Sequence, residues 1–246
     1  MELSDLICAL EEIAPPELAE EMDRGKIGLI VPGTRDVKKV ATALDPTPDV
    51  IKKAAEAKAN ALIVHHTLIW NPLTSIDYGL ARSLKMLLDS RMSLYSMHTN
   101  FDRAPGGVND TLASLLGMSS VVAIDLACAG MVEKQSLGTF AATAAKALKA
   151  DVEVVGDPDK EVRTVVSSAG SGFREALPVA KRLNADVLLS SELKHDVIRD
   201  RGEVALVAAP HYFTEAPAMK RLAGQLNDVV PAEFVDDPPE IRVIGP

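Results

Sequence analysis

The feature that most constrains this chain is a set of short, largely apolar runs, each closed by polar or turn-forming residues. Ile27–Val31, Ala61–Val64, Ser93–Met97, Val187–Leu189 and Val204–Ala208 are of this kind. Runs this short and apolar show no helical periodicity and read as strands buried on both faces. Longer amphipathic stretches lie between them. Leu3, Leu6, Ile7, Leu10 and Ile13 recur at helical spacing, and Pro15-Pro16 ends that helix. Thr47 or Asp49 is placed to cap a helix over about Val50–Lys58. Gly79–Ser90 carries Leu80, Leu84, Leu87 and Leu88 on one side. Strand, loop and helix in alternation describe right-handed βαβ crossovers and predict an α/β protein.

Other elements are less sharply marked. Glu17–Met22 reads as a short helix and Val37–Leu44 as a strand. Asn109 or Asp110 is expected to cap a helix running to Leu116, where Gly117 stops it. In the second half, Leu137–Phe140, Val152–Val155 and Val162–Ser168 read as strands, and Ala141–Ala150 as a helix. Helices are expected over Phe173–Leu183, His195–Arg199 and Thr214–Leu226, then closing strands over Val229–Val235 and Ile241–Ile244. A boundary near residues 126–134 would divide the chain into lobes 1–126 and 134–246.

Nearly half of the 246 residues are hydrophobic, ample for a sizeable core. A net charge of −9 with no basic block argues against contacts with duplex DNA or an anionic membrane. The two cysteines, Cys8 and Cys128, form no CxxC pair and are expected to be buried free thiols. The acidic N-terminus lacks the basic start and apolar run of a signal peptide, and no apolar stretch reaches transmembrane length. A cytoplasmic location is expected.

The polar residues that carry chemistry collect at the ends of the expected strands. His65 and His66 directly follow Ala61–Val64. His98 and His211 also stand at or past strand ends, and His195 near a helix start after such a strand. Ligands of open α/β sheets bind at these ends. Asp102 lies four residues after His98, and Glu215 four after His211. Imidazoles with carboxylates suit Zn, Mn, Fe or Ni, and two shared carboxylates are one way to hold a metal pair. Each acid alone also reads as a helix cap or a solvated charge.

Several features stay open. Gly106-Gly107 and Gly170-Ser171-Gly172 lack phosphate-loop spacing and read first as tight turns. Ser190-Ser191-Glu192 is either a substrate contact or a plain strand-to-helix turn. Arg103 is either an anion contact or an ordinary exposed charge.

The segments VATALDPTPDV (40–50), NALIVHHTLIW (60–70), HTNFDRAPGGVNDTLA (98–113), SSAGSGF (167–173), NADVLLSSELKH (184–195) and PHYFTE (210–215) together resemble the NIF-three-like family. Its bacterial members are often labelled GTP cyclohydrolase 1 type 2 homologues. The resemblance implies two α/β lobes with mixed sheets flanked by helices, and a dinuclear metal site in the cleft between lobes. It implies two divalent metal ions per chain, held by His65, His66, Asp102, His211 and Glu215, with Asp102 and Glu215 bridging. His98 and His195 match motif positions lining the same cavity and are expected to act in catalysis. It further implies a homohexamer. The chain departs from the family pattern at Thr67 and Trp70, at Pro210, at Arg24-Gly25-Lys26 and at Ser191. None of these removes an implied ligand.

The favoured function is a metal-dependent hydrolase acting on a nucleotide or phosphoester-type small molecule. The cyclohydrolase label itself finds no purine-specific motif in this sequence. The alternatives are a metal-handling factor and a regulatory interaction protein without turnover.

Overall fold

A computed structural model describes residues 1–242 and Ile244. In chain order the first elements are α1 (Leu3–Ile13), β1 (Gly28–Val31), β2 (Val40–Ala43), α2 (Pro48–Glu56), β3 (Ala61–Val64), α3 (Tyr78–Asp89) and β4 (Ser93–Ser96). Then come α4 (Thr99–Arg103), α5 (Val108–Leu115), β5 (Ser119–Ile124), β6 (Ala127–Ser136), α6 (Leu137–Leu148), β7 (Glu153–Val155) and β8 (Glu161–Ser167). The last are α7 (Phe173–Arg182), β9 (Val187–Ser190), α8 (His195–Asp200), β10 (Ala205–Ala208), α9 (His211–Leu226) and β11 (Ala232–Phe234). The result is a mixed α/β fold with two sheets flanked by helices.

The chain forms two compact units. The first comprises Met1–Ile7, Lys26–Ser96 and the chain from Met219 onward. Its sheet has the order β1-β4-β3-β2-β11. β4, β3, β2 and β11 are parallel, and β1 adds antiparallel to β4 at one edge. β2, β3 and β4 are buried along their whole length, the polar Thr42, Ser93 and Ser96 included. The core packs Val50, Ile51 and Ala54 of α2 and Leu87 of α3 against Ala41, Leu62, Val64 and Leu94. Thr47 caps α2 by accepting from the Val50 amide (3.1 Å), and Asp77 caps α3 through the Leu80 amide (2.8 Å).

The second unit comprises Cys8–Gly25 and Met97–Ala218. Its sheet has the order β5-β6-β8-β9-β10-β7. β8, β9 and β10 are parallel, whereas β5, β6 and β7 join antiparallel. Apolar clusters cover the two faces of this sheet. One includes Leu137, Phe140 and Ala144 of α6 with Val165, Val187 and Val207; the other includes Phe173, Ala176 and Leu177 of α7 with Val166, Leu188 and Leu206. Alternating residues of β9 go to opposite clusters, as strand geometry dictates.

Several expectations differ from the structure. Residues 127–136 are not a lobe boundary but the interior of the second sheet, where β6 pairs with β5 and β8. The chain instead leaves the first unit after Ser96 and returns at Met219. Leu137–Phe140 begins helix α6, because Ser136 accepts from the Thr139 amide and caps it. Glu17–Met22 is replaced by two 3₁₀ turns, Pro16–Leu18 and Glu21–Asp23. Of the expected final strand, Ile241, Arg242 and Ile244 are irregular and Val243 lies outside the described residues. Cys8 is exposed on α1, whereas Cys128 is buried. Burial pushes the Cys128 thiol up to about 12, and the neighbouring Asp110 carboxylate adds to the rise. No helix among the described residues is long and apolar enough to cross a membrane.

Candidate metal centre

In the first unit the parallel strands β2, β3 and β4 end along one edge of the sheet, and the double histidine follows β3 there. The amides of His65 and His66 both donate to the Leu44 carbonyl, at 3.1 and 3.0 Å. Ser96 Oγ donates to the His65 carbonyl at 3.2 Å. Pinned at this corner, the two rings stand 5.1 Å apart between centroids, and their ligand nitrogens lie within 4.8 Å of one another. His65 is fully buried. His66 Nδ1 lies 2.7 Å from Asp45 Oδ1. The carboxylate accepts, so Nδ1 donates and the neutral ring carries its lone pair on Nε2, the arrangement of a metal-ligating histidine. Trp70 stands beside His66, with centroids 6.2 Å apart, and the Lys26 ammonium lies 5.6 Å from the indole centroid.

In the second unit α9 begins at His211, three residues before the start expected at Thr214. His211 and Glu215 therefore sit one turn apart on a formed helix. His211 Nε2 lies 2.9 Å from Glu215 Oε2, and Glu215 is buried. On the other side of the ring, Nδ1 lies 2.8 Å from Glu192 Oε1. A hydrogen bond from Ser171 holds the Glu192 carboxyl below its ordinary range; burial opposes this and the His211 hydrogen bond adds to it. Glu192 has φ of 60°, a left-handed backbone that disfavours a side-chain-bearing residue.

Gly170 makes room for this pair. Its φ is +62°, and a Cβ there would fall 2.1 Å from Glu215 Oε1 and 3.2 Å from His211 Nε2. Thr214 Oγ1 accepts from the Gly170 amide (3.0 Å) and donates to the His211 carbonyl (2.8 Å), tying the glycine loop to the first turn of α9. Gly170 is thus a tight-turn glycine, as its spacing suggested, and also the residue that leaves the carboxylate its space.

His98 and Asp102 belong to the same unit. His98 Nδ1 lies 2.9 Å from both oxygens of Asp23, which is fully buried. Burial alone would raise the Asp23 pKa; hydrogen bonds from His98 and Thr99 outweigh it and hold the carboxyl at about 2. Asp102 lies on α4, and its carbonyl accepts from Asn109 Nδ2 at 3.1 Å. Asn109 Oδ1 accepts from the Ala169 amide at 2.9 Å. Asn109 therefore braces α4 against the glycine loop and does not cap α5. The N-cap position is Gly107, where a Cβ would meet the Phe101 carbonyl oxygen at 2.0 Å. Asp110 accepts from the Gly106 amide at 2.7 Å, so it too caps no helix. Arg103 is paired with Glu20 and donates to the Leu18 carbonyl at 3.1 Å.

These residues border a cavity of about 640 Å³ in the second unit, lined by His98, Asp102, Arg103, Ser171 and Glu215 with an apolar side that includes Val179. His195, exposed at the first position of α8, does not line it. Of the two expected catalytic histidines, only His98 faces this cavity. Ser190 and Ser191 are buried in backbone and hydroxyl contacts: Ser190 Oγ donates to the Gly170 carbonyl at 3.0 Å, and Ser191 Oγ lies 3.2 Å from Thr214 Oγ1.

The donor set fits a divalent transition metal. It offers imidazole nitrogens and carboxylates, with ligand atoms of His211 and Glu215 within 4.8 Å and a glycine where any side chain would intrude. The His and Glu groups can hold a metal ion.

Three carboxylates orient these histidines without having been read from the sequence as their partners: Asp23, Asp45 and Glu192, the last read there as a substrate contact or a turn. For two of them strand register is the missing signal. Ala43 pairs with Val64, so Asp45 and His66 both stand two residues past matched strand ends. Ser190 pairs with Ala208, which brings Glu192 level with the turn that leads into His211. Asp23 lies 75 residues from His98 at the end of a single 3₁₀ turn, with no local pattern to mark it.

The chain is similar to known proteins over nearly its whole length. The family model Duf34/NIF3 (NGG1p interacting factor 3) matches residues 1–237. A Methanocaldococcus jannaschii protein named GTP cyclohydrolase 1 type 2 homolog is 32% identical, over 96% of this chain and 98% of its own. The structure of reduced HcgD from Methanocaldococcus jannaschii superposes with a TM-score of 0.83 at 29% identity, covering 96% of this chain and 98% of that one. A Bacillus cereus protein related to NIF3 has the same fold, with a TM-score of 0.90 at 21% identity and 99% of each chain covered. Matched by the family model over residues 1–237, the chain belongs to the Duf34/NIF3 family.

Proposed function

We propose that the protein is a dinuclear metal-dependent hydrolase acting on a nucleotide or phosphoester-type small molecule. His65, His66, Asp102, His211 and Glu215 would hold the two ions, with Asp102 and Glu215, by the family resemblance, as the carboxylates common to both. The observation that carries this reading is the His211–Glu215 pair, which Gly170 leaves clear beside a cavity that His98 and Asp102 also line. Bound divalent ions supply Lewis acidity and activate water for attack.

The chain's own residues do the rest. Asp45 and Glu192 hold the Nδ1 sides of His66 and His211, fixing ring orientation. His98, backed by Asp23, is the proton carrier of the site. The cavity lining is acidic: Asp102, Asp125, Glu175 and Glu215 lie there, and Glu20 uses up the charge of Arg103. An anionic substrate is therefore repelled by the bare protein and admitted only when the ions offset these charges.

The test is a screen of nucleotides and phosphoesters with anaerobically purified protein, before and after chelation. Turnover that chelation abolishes and Mn²⁺ or Fe²⁺ restores is expected. Turnover that survives complete metal removal contradicts the proposal.

A further inference from the structure

Among the described residues His98 is the one histidine that lines the cavity, and its usefulness as a proton carrier depends on which ring nitrogen holds the proton. We propose that Asp23 is a positioning residue that sets the tautomer of His98, keeping its proton on Nδ1 so that Nε2 carries the lone pair. The inference rests on the reading of His98 as the proton carrier of the site.

The hydrogen-bond directions leave one consistent assignment. Thr99 Oγ1 accepts from the Glu20 amide at 2.8 Å, so its own proton goes to Asp23 Oδ2. The Thr99 amide donates to the same oxygen at 3.0 Å. Asp23 Oδ2 is thus held as an acceptor by two donors, one of them a backbone N–H that cannot turn away. His98 Nδ1 lies 2.9 Å from this oxygen and 2.9 Å from Oδ1. A buried, ionised carboxylate has no proton to offer the ring, so the ring must donate. The backbone of His98 is fixed as well, because its amide donates to Asn100 Oδ1 at 2.9 Å, and Asn100 Nδ2 donates to the Ala14 carbonyl at 2.8 Å. Ring position and proton position are therefore both set from outside the cavity.

The same directions predict what Asp23→Asn does. Its carbonyl oxygen must take the Oδ2 place, where Thr99 N–H and O–H demand an acceptor. The amide NH₂ then occupies the Oδ1 place and points a proton at His98 Nδ1. Nδ1 becomes the acceptor, and the ring proton moves to Nε2. Asp23→Glu keeps a carboxylate and is expected to keep the proton on Nδ1.

The experiment is ¹⁵N NMR of the imidazole nitrogens in the full-length protein at alkaline pH, where the ring is neutral, with His98 assigned by the signals lost in His98→Gln. The wild-type ring is expected to show a protonated Nδ1 and an unprotonated Nε2, and Asp23→Asn is expected to show the reverse. A wild-type ring protonated on Nε2 overturns the proposal, whether or not Asp23→Asn folds. A folded Asp23→Asn that keeps the wild-type tautomer also overturns it, because Asp23 would then only anchor Thr99. The readout needs neither metal nor substrate, so it fails or holds separately from the hydrolase reading.

Discussion

Glu215 holds its Oε2 2.9 Å from Nε2 of His211, one turn earlier on the same helix. Both atoms are of ligand type. A metal ion held here would take each of them unprotonated, so its uptake would be coupled to proton release. Glu192 on the far side of the imidazole keeps the ring in place.

Gly170→Ala is the sharpest single test of this geometry. The added methyl would fall 2.1 Å from Glu215 Oε1, and the +62° backbone angle disfavours alanine independently. A loss of about 1–3 kcal/mol in stability is expected from strain of this kind. Metal affinity should fall with it, because the Glu215 carboxylate is pushed aside. Calorimetry and metal analysis of the variant decide; wild-type values in both would show that the space at Gly170 has no role.

Asp45→Ala and Glu192→Ala should weaken metal binding without removing any ligand. Loss of a carboxylate behind a ligating histidine costs about 10–100-fold in metal affinity in general. Competition with a calibrated chelator measures this. Unchanged affinity in both variants would contradict the orienting role drawn from the 2.7 and 2.8 Å contacts.

Much of the first unit is legible in sequence because β1, β2 and β3 are short and largely apolar. Ala61–Val64 emerges with the boundaries read from its composition. The histidines at strand ends were visible for the same reason. What stayed hidden depends on pairing at a distance. β5 and β6 do contain apolar stretches, residues 121–124 and 127–132, but they form an antiparallel hairpin outside the strand–helix–strand pattern, and β5 is exposed over nearly its whole length. Asn109 looked like a helix cap because local sequence cannot show that its amide reaches the Ala169 backbone. His195 looked equivalent to His98 from its position after a strand, yet the first residue of α8 is exposed and away from the cavity that His98 lines.

Trp70 is the single tryptophan of the chain and stands 6.2 Å from His66. Its fluorescence therefore reports on metal at that histidine. Saturable quenching by Ni²⁺ or Mn²⁺ is expected, with competition by Zn²⁺ and loss of the effect in His66→Ala. Quenching that persists unchanged in His66→Ala would place the ion elsewhere.

Asp23 gives the acid limb of stability a defined origin. Its folded pKa of about 2 lies below the ordinary value of 3.8. The unfolded chain thus binds the proton first, so the stabilisation is present above about pH 4 and is lost as pH falls toward 2. A shift of this size corresponds to about 2 kcal/mol. Urea unfolding of wild type and Asp23→Asn between pH 5 and 2.5 should show a gap that narrows on acidification. A constant gap contradicts this.

Metal content per chain decides whether His65, His66, Asp102, His211 and Glu215 hold two ions. Anaerobically prepared wild-type protein is expected to bind two divalent ions at saturation. If the two carboxylates are shared as proposed, Asp102→Ala and Glu215→Ala should each lower occupancy of both positions. His65→Ala and His66→Ala should empty mainly one. One metal per chain in saturated wild type, or full occupancy in the Asp102 and Glu215 variants, would contradict the account.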